Sequence, residues 1–162
     1  MARWLRWLRI VAAVALAAGL SGCALLSKDD SAKLHAQAQA DLSRWADATT
    51  VVPPTWNPSD PPVGISIEWA TGTADGKKLT VGFTGAPGPA SQGCGADYTA
   101  EAVESQTAVV VIVTKHPHSA FGETCSAVGA VRTAEVELAA PLGNRAVLEV
   151  REGRPVAVTP TH

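Results

Sequence analysis

Hydrophobic and polar positions change their period twice along this chain. Residues 10–20, from Ile10 to Leu20, form an unbroken apolar run. As a helix rising about 1.5 Å per residue, it is roughly 16 Å long, about half of what crosses a hydrocarbon core. Beyond Asp29 the spacing turns helical: Leu34, Ala38, Leu42 and Trp45 fall on one face, while Lys33, Gln37, Arg44 and Asp47 fall mainly elsewhere. Asp29, Asp30 and Ser31 suit the positive end of a helix, and Val51-Val52-Pro53-Pro54 cannot continue one. The pattern predicts one amphipathic helix over about 31–49, preceded by a short tether at 24–28. It leaves open whether that helix docks on the later domain or stands off as a stalk. Pro53, Pro54, Pro58, Pro61 and Pro62 make residues 51–62 a stiff, extended spacer, with Trp56 expected to tuck against the domain.

After Val63 the period drops to two. Ile65, Ile67 and Trp69 alternate with Ser66 and Glu68, and Gly72 with Asp75-Gly76 signals a turn. Leu79, Val81 and Phe83 then alternate with Thr80, Gly82 and Thr84, and residues 85–95 are rich in glycine and proline. Tyr98, Ala100 and Ala102 alternate with Thr99 and Glu101 before a corner at Ser105-Gln106. Ala108 to Val113 is apolar on both parities, which predicts a strand covered on both faces. A loop over 115–124 and a strand over about 127–138 follow. Turns at Pro141-Leu142-Gly143-Asn144 and Glu152-Gly153-Arg154 bracket a strand with Ala146, Leu148 and Val150, and Val156 to Val158 is a short last strand. The expected fold is mainly β: a small antiparallel meander or two-layer domain of about seven strands at 63–162. The helix and Pro-rich spacer at 23–62 precede it.

Charge separates residues 1–22 from the rest. Arg3, Arg6 and Arg9 precede the apolar run, no acid accompanies them, and small residues close the run. This describes a secretory signal rather than a spanning helix, oriented with its C-terminal end outward. The chain has 13 Lys and Arg against 15 Asp and Glu. Three of those basic residues lie in the signal, leaving ten against fifteen. A mildly acidic product with no basic run excludes nucleic acid as a natural partner. It also gives the domain no polybasic attraction to anionic lipid.

Leu20-Ser21-Gly22-Cys23 resembles the lipobox of bacterial lipoproteins. That resemblance implies cleavage after Gly22 and a thioether-linked diacylglycerol on Cys23, with no other cofactor. Two acyl chains anchor durably where one holds marginally. The implied address is the extracytoplasmic face of the cell membrane. With Cys23 given to the lipid by this resemblance, Cys94 and Cys125 remain as one pair, and an oxidising compartment favours their bridge. A meander of strands near 97–104, 107–115 and 127–138 would put both cysteines at the same end. They would then lie two strand spacings apart, about 9.6 Å, so their loops would have to lean together. Leu79, Cys94, Glu104, the Val109–Val113 run, Cys125 and Pro141 to Arg145 also resemble a domain of small lipoproteins from high-GC Gram-positive bacteria. That resemblance implies fold and address but no chemistry.

Candidate chemistry is sparse. His116, His118 and Glu123 share one loop beside Cys125, and two imidazoles with a carboxylate are a weak zinc or copper set. An exposed polar loop explains the same residues, and no metal is expected. Arg132 occupies a strand position where Ala or Val is expected, which points to pairing with Glu101, Glu104 or Glu149, or to anion binding. Arg145, just after a turn, reads as a surface charge. The chain has no G-x-S-x-G, H-E-x-x-H, G-x-x-x-x-G-K or dinucleotide fingerprint. The leading expectation is a lipid-anchored binding or scaffolding module, not an enzyme, whose partner is a protein, a cell-wall component or a small ligand. The alternatives are a small hydrolase-like surface enzyme or a metal-binding lipoprotein using the His116/His118 loop.

Overall fold

The structure, a computed structural model, describes residues 25–47, 63–118 and 124–161. The signal segment, Cys23, the Pro-rich spacer with Trp56, and Glu123 lie outside the described residues. The fold is mainly β, with two four-stranded sheets and one helix, α1 (Leu25–Asp47), among the described residues.

The central strand is the one the apolar run predicts. β4 (Ala108–Pro117) buries every residue from Ala108 to Val113 because both of its faces are covered. Val109, Val111 and Val113 face the other sheet, while Ala108, Val110 and Ile112 face α1. Around it, β3 (Ala96–Glu104), β6 (Ala146–Glu149) and β7 (Pro155–Val156) complete one sheet in the order β3-β4-β6-β7. The second sheet runs β5-β2-β1-β8, formed by β1 (Trp69–Gly72), β2 (Lys78–Gly85), β5 (Ala130–Glu137) and β8 (Val158–Thr159). Leu79, Val81, Phe83 and Val136 from this sheet meet Val109, Val111 and Val113 from the other. Each fully buried Leu, Val or Phe contributes about 1.5–3 kcal/mol, so this interlayer is the main source of stability.

Alternation places the strands but not their partners. β4 pairs antiparallel with β3 and parallel with β6, and β1 pairs parallel with β8. The expected meander through 127–138 does not form, because β5 leaves β3 and β4 and joins β2 across the sandwich. The crossing is forced by the segment after β5: Leu138 and Leu142 are buried, and the N–H groups of Leu142 and Gly143 bond the carbonyls of Gly76 and Ala74. The first strand also shifts. It starts at Trp69 rather than near Ile65, because the tight turn closes at Thr73–Gly76 and the pairing register runs back from there.

Helix α1 docks on the outer face of the β3-β4-β6-β7 sheet. Leu34, Ala38 and Leu42 are buried against Val103, Val110, Ile112, Leu148 and Val150, and Trp45 packs at the edge. Gln37 fixes the helix further, its side-chain amide donating to the Val150 carbonyl. The helix begins at Leu25, so residues 25–28 are helical rather than a tether. Among the described residues no helix is long and apolar enough to cross a membrane.

Candidate functional site

At one end of the sandwich the close of β2, the 86–95 loop, the end of β4 and the approach to β5 surround a cleft of about 640 Å³. That volume falls in the range of small-molecule sites. Tyr98, on β3, forms its floor and is locked in place. Its ring meets Phe83 edge-to-face at 4.9 Å, and its hydroxyl accepts the Ala86 N–H at 2.6 Å. Gly85 is needed beside it, since a Cβ there would stand 2.6 Å from the Tyr98 hydroxyl.

Arg132 explains itself here, and the expected carboxylate pairing is not what the structure shows. Its guanidinium carbon lies 5.6 Å from the Tyr98 ring centre, and Nη1 donates to the Ala86 carbonyl at 3.2 Å. Cation–π contact and a carbonyl satisfy the charge that interrupts the apolar parity. The three carboxylates named for it are engaged otherwise: Glu101 with His35, Glu104 with Arg145, and Glu149 with backbone N–H groups. Arg132 therefore braces the Tyr98 ring and the Ala86 backbone.

Cys94 and Cys125 line the cleft and sit in disulfide geometry, with Cα atoms 5.5 Å apart. β3 and β5 belong to different sheets whose edges adjoin, so the two cysteines need not reach across an intervening strand. Cys94 has φ 58, the single non-glycine residue with positive φ among those described. A side chain held there costs on the order of 1–3 kcal/mol and persists where its surroundings over-determine it.

The two histidines are not brought together as a ligand set. His116 Nε2 shares a hydrogen bond with the Thr99 hydroxyl at 2.9 Å. His118 Nδ1 donates to the Ala90 carbonyl at 2.6 Å, and its own N–H bonds the Gly95 carbonyl. His118 thus pins the 86–95 loop to the end of β4. Among the described residues no group of three His, Cys, Asp or Glu is placed to hold a metal. Lys115, exposed at the rim, is the cation of the described lining.

No protein-family model, curated protein or solved structure matches this chain.

Two polar clusters escaped the sequence reading. Arg145 is no surface charge: its side chain is 10% exposed and pairs with Glu104 at 2.5 Å. It also donates to the carbonyls of Ala140, Pro141 and Leu142. Burial alone would raise the Glu104 carboxyl. The Arg145 hydrogen bond, the N–H groups of Ala139 and Ala140, and the Arg145 charge outweigh it and hold the carboxyl below its ordinary range. The second cluster lies under α1, where Asp41 is 2% exposed and Glu149 is 5% exposed. Glu149 is satisfied by the N–H groups of Arg151, Glu152 and Arg154. Among the described residues only one oxygen of Asp41 has a partner, Arg44. The signal for Asp41 is present in the sequence, since it stands seven residues beyond Leu34 on the apolar face.

Proposed function

We propose that this chain is a lipid-anchored binding module on the extracytoplasmic face of the membrane, held by diacylglycerol on Cys23, with its ligand received at the cleft on the disulfide end of the sandwich. The observation that carries the binding half is the cleft itself, with a rigid aromatic floor and an apolar lip. Val128 lines it and is 63% exposed, and Val131, three residues on, is 71% exposed. Large apolar side chains left in water beside a concave site are what a docking partner covers. The lining also offers Lys115 and His118 for polar recognition. The partner is a small molecule, or the tip of a cell-wall component or protein, that fits such a space.

The test is photo-crosslinking in membranes of producing cells, with a benzophenone amino acid in place of Val128 or, as control, Lys78 at the opposite end of β2. A discrete adduct from position 128 and none from position 78 is expected. Equal adducts from both positions, or none from 128, would overturn the cleft as the binding site.

A further inference from the structure

We propose that the docking of α1 is proton-gated through Asp41, so that acidification locks the helix onto the sandwich and neutral pH loosens it. Asp41 lies between the helix and the β6–β7 turn, 2% exposed, with Oδ1 accepting from Arg44 and Oδ2 without a partner among the described residues. An ionised carboxylate with one oxygen sealed from water and unbonded is costly, and the neutral acid is far less so. Gly153 packs against the carboxyl, since a Cβ there would stand 2.9 Å from its Cγ and Oδ1, so the backbone closes the site to solvent.

The groups facing Asp41 come from two elements. Its own helix supplies Arg44, which favours the charged form. The end of β6 supplies the Glu149 carboxylate, which opposes it, and the turn that follows carries an exposed Glu152–Arg154 pair at 2.6 Å. Burial dominates, and the carboxyl is pushed up from 3.8 to about 6. Nearer the start of the helix, His35 Nε2 faces Glu101 of β3 at 3.4 Å.

The direction follows from linkage. Below about pH 4 Asp41 is neutral whether α1 is docked or free, and docking is strongest. Between about 4 and 6 the docked form holds a proton that the free helix gives up, so docking weakens as pH rises. Above about 6 both forms are ionised and docking is flat at its minimum. A carboxyl that titrates near 3.8 when free and near 6 when docked changes the docking equilibrium on the order of a hundredfold across that window. One consequence rests on the lipid-anchor reading. α1 begins two residues after Cys23, so the docked helix, about 34 Å long, holds the sandwich close to the membrane. When the helix is released, the sandwich is tied to the anchor only through α1 and residues 48–62.

Hydrogen exchange on the intact lipoprotein in phospholipid nanodiscs tests the gate, with rates corrected for the pH dependence of chemical exchange. Protection of α1 amides should fall on the order of a hundredfold between pH 4 and pH 7, while β4 amides keep theirs. Asp41→Asn should abolish that dependence and leave α1 protected throughout, and His35→Gln should retain it. A flat wild-type profile, an unchanged dependence in Asp41→Asn, or parallel loss in β4 would overturn the proposal. The mass of the Cys23 peptide from the same sample decides the anchor separately and does not alter the exchange result.

Discussion

Replacing Arg145 with methionine keeps the aliphatic stem and removes the guanidinium. The lost contacts are the ion pair to Glu104 at 2.5 Å and the bonds to the carbonyls of Ala140, Pro141 and Leu142 at 2.8, 2.8 and 3.2 Å. Together they hold the segment that carries the chain from one sheet to the other. An exposed ion pair contributes about 0–1 kcal/mol, while breaking a buried one costs about 3–5 kcal/mol. At 10% and 17% exposure this pair lies nearer the buried limit. Two things soften the loss: Glu104 keeps the Ala139 N–H at 2.6 Å, and water reaches the carbonyls of the exposed Ala140 and Pro141. The expected cost is about 2–3 kcal/mol. Urea unfolding of the oxidised protein reads it as a midpoint lowered by about 1–2 M at unchanged slope. Adding Glu104→Gln should cost little more, giving a coupling of about 1 kcal/mol or greater. A loss under about 0.5 kcal/mol, or strictly additive single and double variants, would refute the buried-pair argument.

Acid should act through the same carboxylate. Because Glu104 is held below its ordinary range, its stabilisation is full above about pH 5 and is lost as pH falls through the folded value. The stability gap between wild type and Glu104→Gln should therefore narrow from pH 5 to pH 3 in urea titrations, and a constant gap would contradict this. Asp41 runs the other way, its burden relieved as pH falls. Reducing the Cys94–Cys125 bridge, with a sequence separation of 31, should cost about 3–4 kcal/mol in the chain-entropy model. Calorimetry of oxidised and reduced protein checks this, and coincident melting curves would show that the bridge constrains nothing.

Much of the architecture was legible because periodicity reports burial directly. Leu34, Ala38 and Leu42 are the buried face of α1, and the two-parity run at Ala108–Val113 is the doubly covered strand. What was not legible depends on choices made across long separations. Nothing local to residues 130–137 says whether they pair with β4 or β2. That is decided by where Leu138 and Leu142 find cover. Arg145 and Glu104 are 41 residues apart, and only the crossing segment brings them together. The early start of α1 was missed because Leu25-Leu26-Ser27-Lys28 is too short for a period, though none of its residues opposes a helix. Arg132 was recognisable as out of place, but its aromatic partner lies on the other sheet.

The most direct test of the central claim, that this domain works tethered to the membrane surface, is the mass of the mature N-terminus. The protein is produced in a bacterium with lipoprotein processing, recovered from membranes and digested. The account predicts a first peptide beginning at Cys23 and carrying a diacylglyceryl group, with Cys23→Ser unmodified and no longer retained. A membrane-free chain beginning elsewhere, or equal retention of the Cys23→Ser variant, would contradict it.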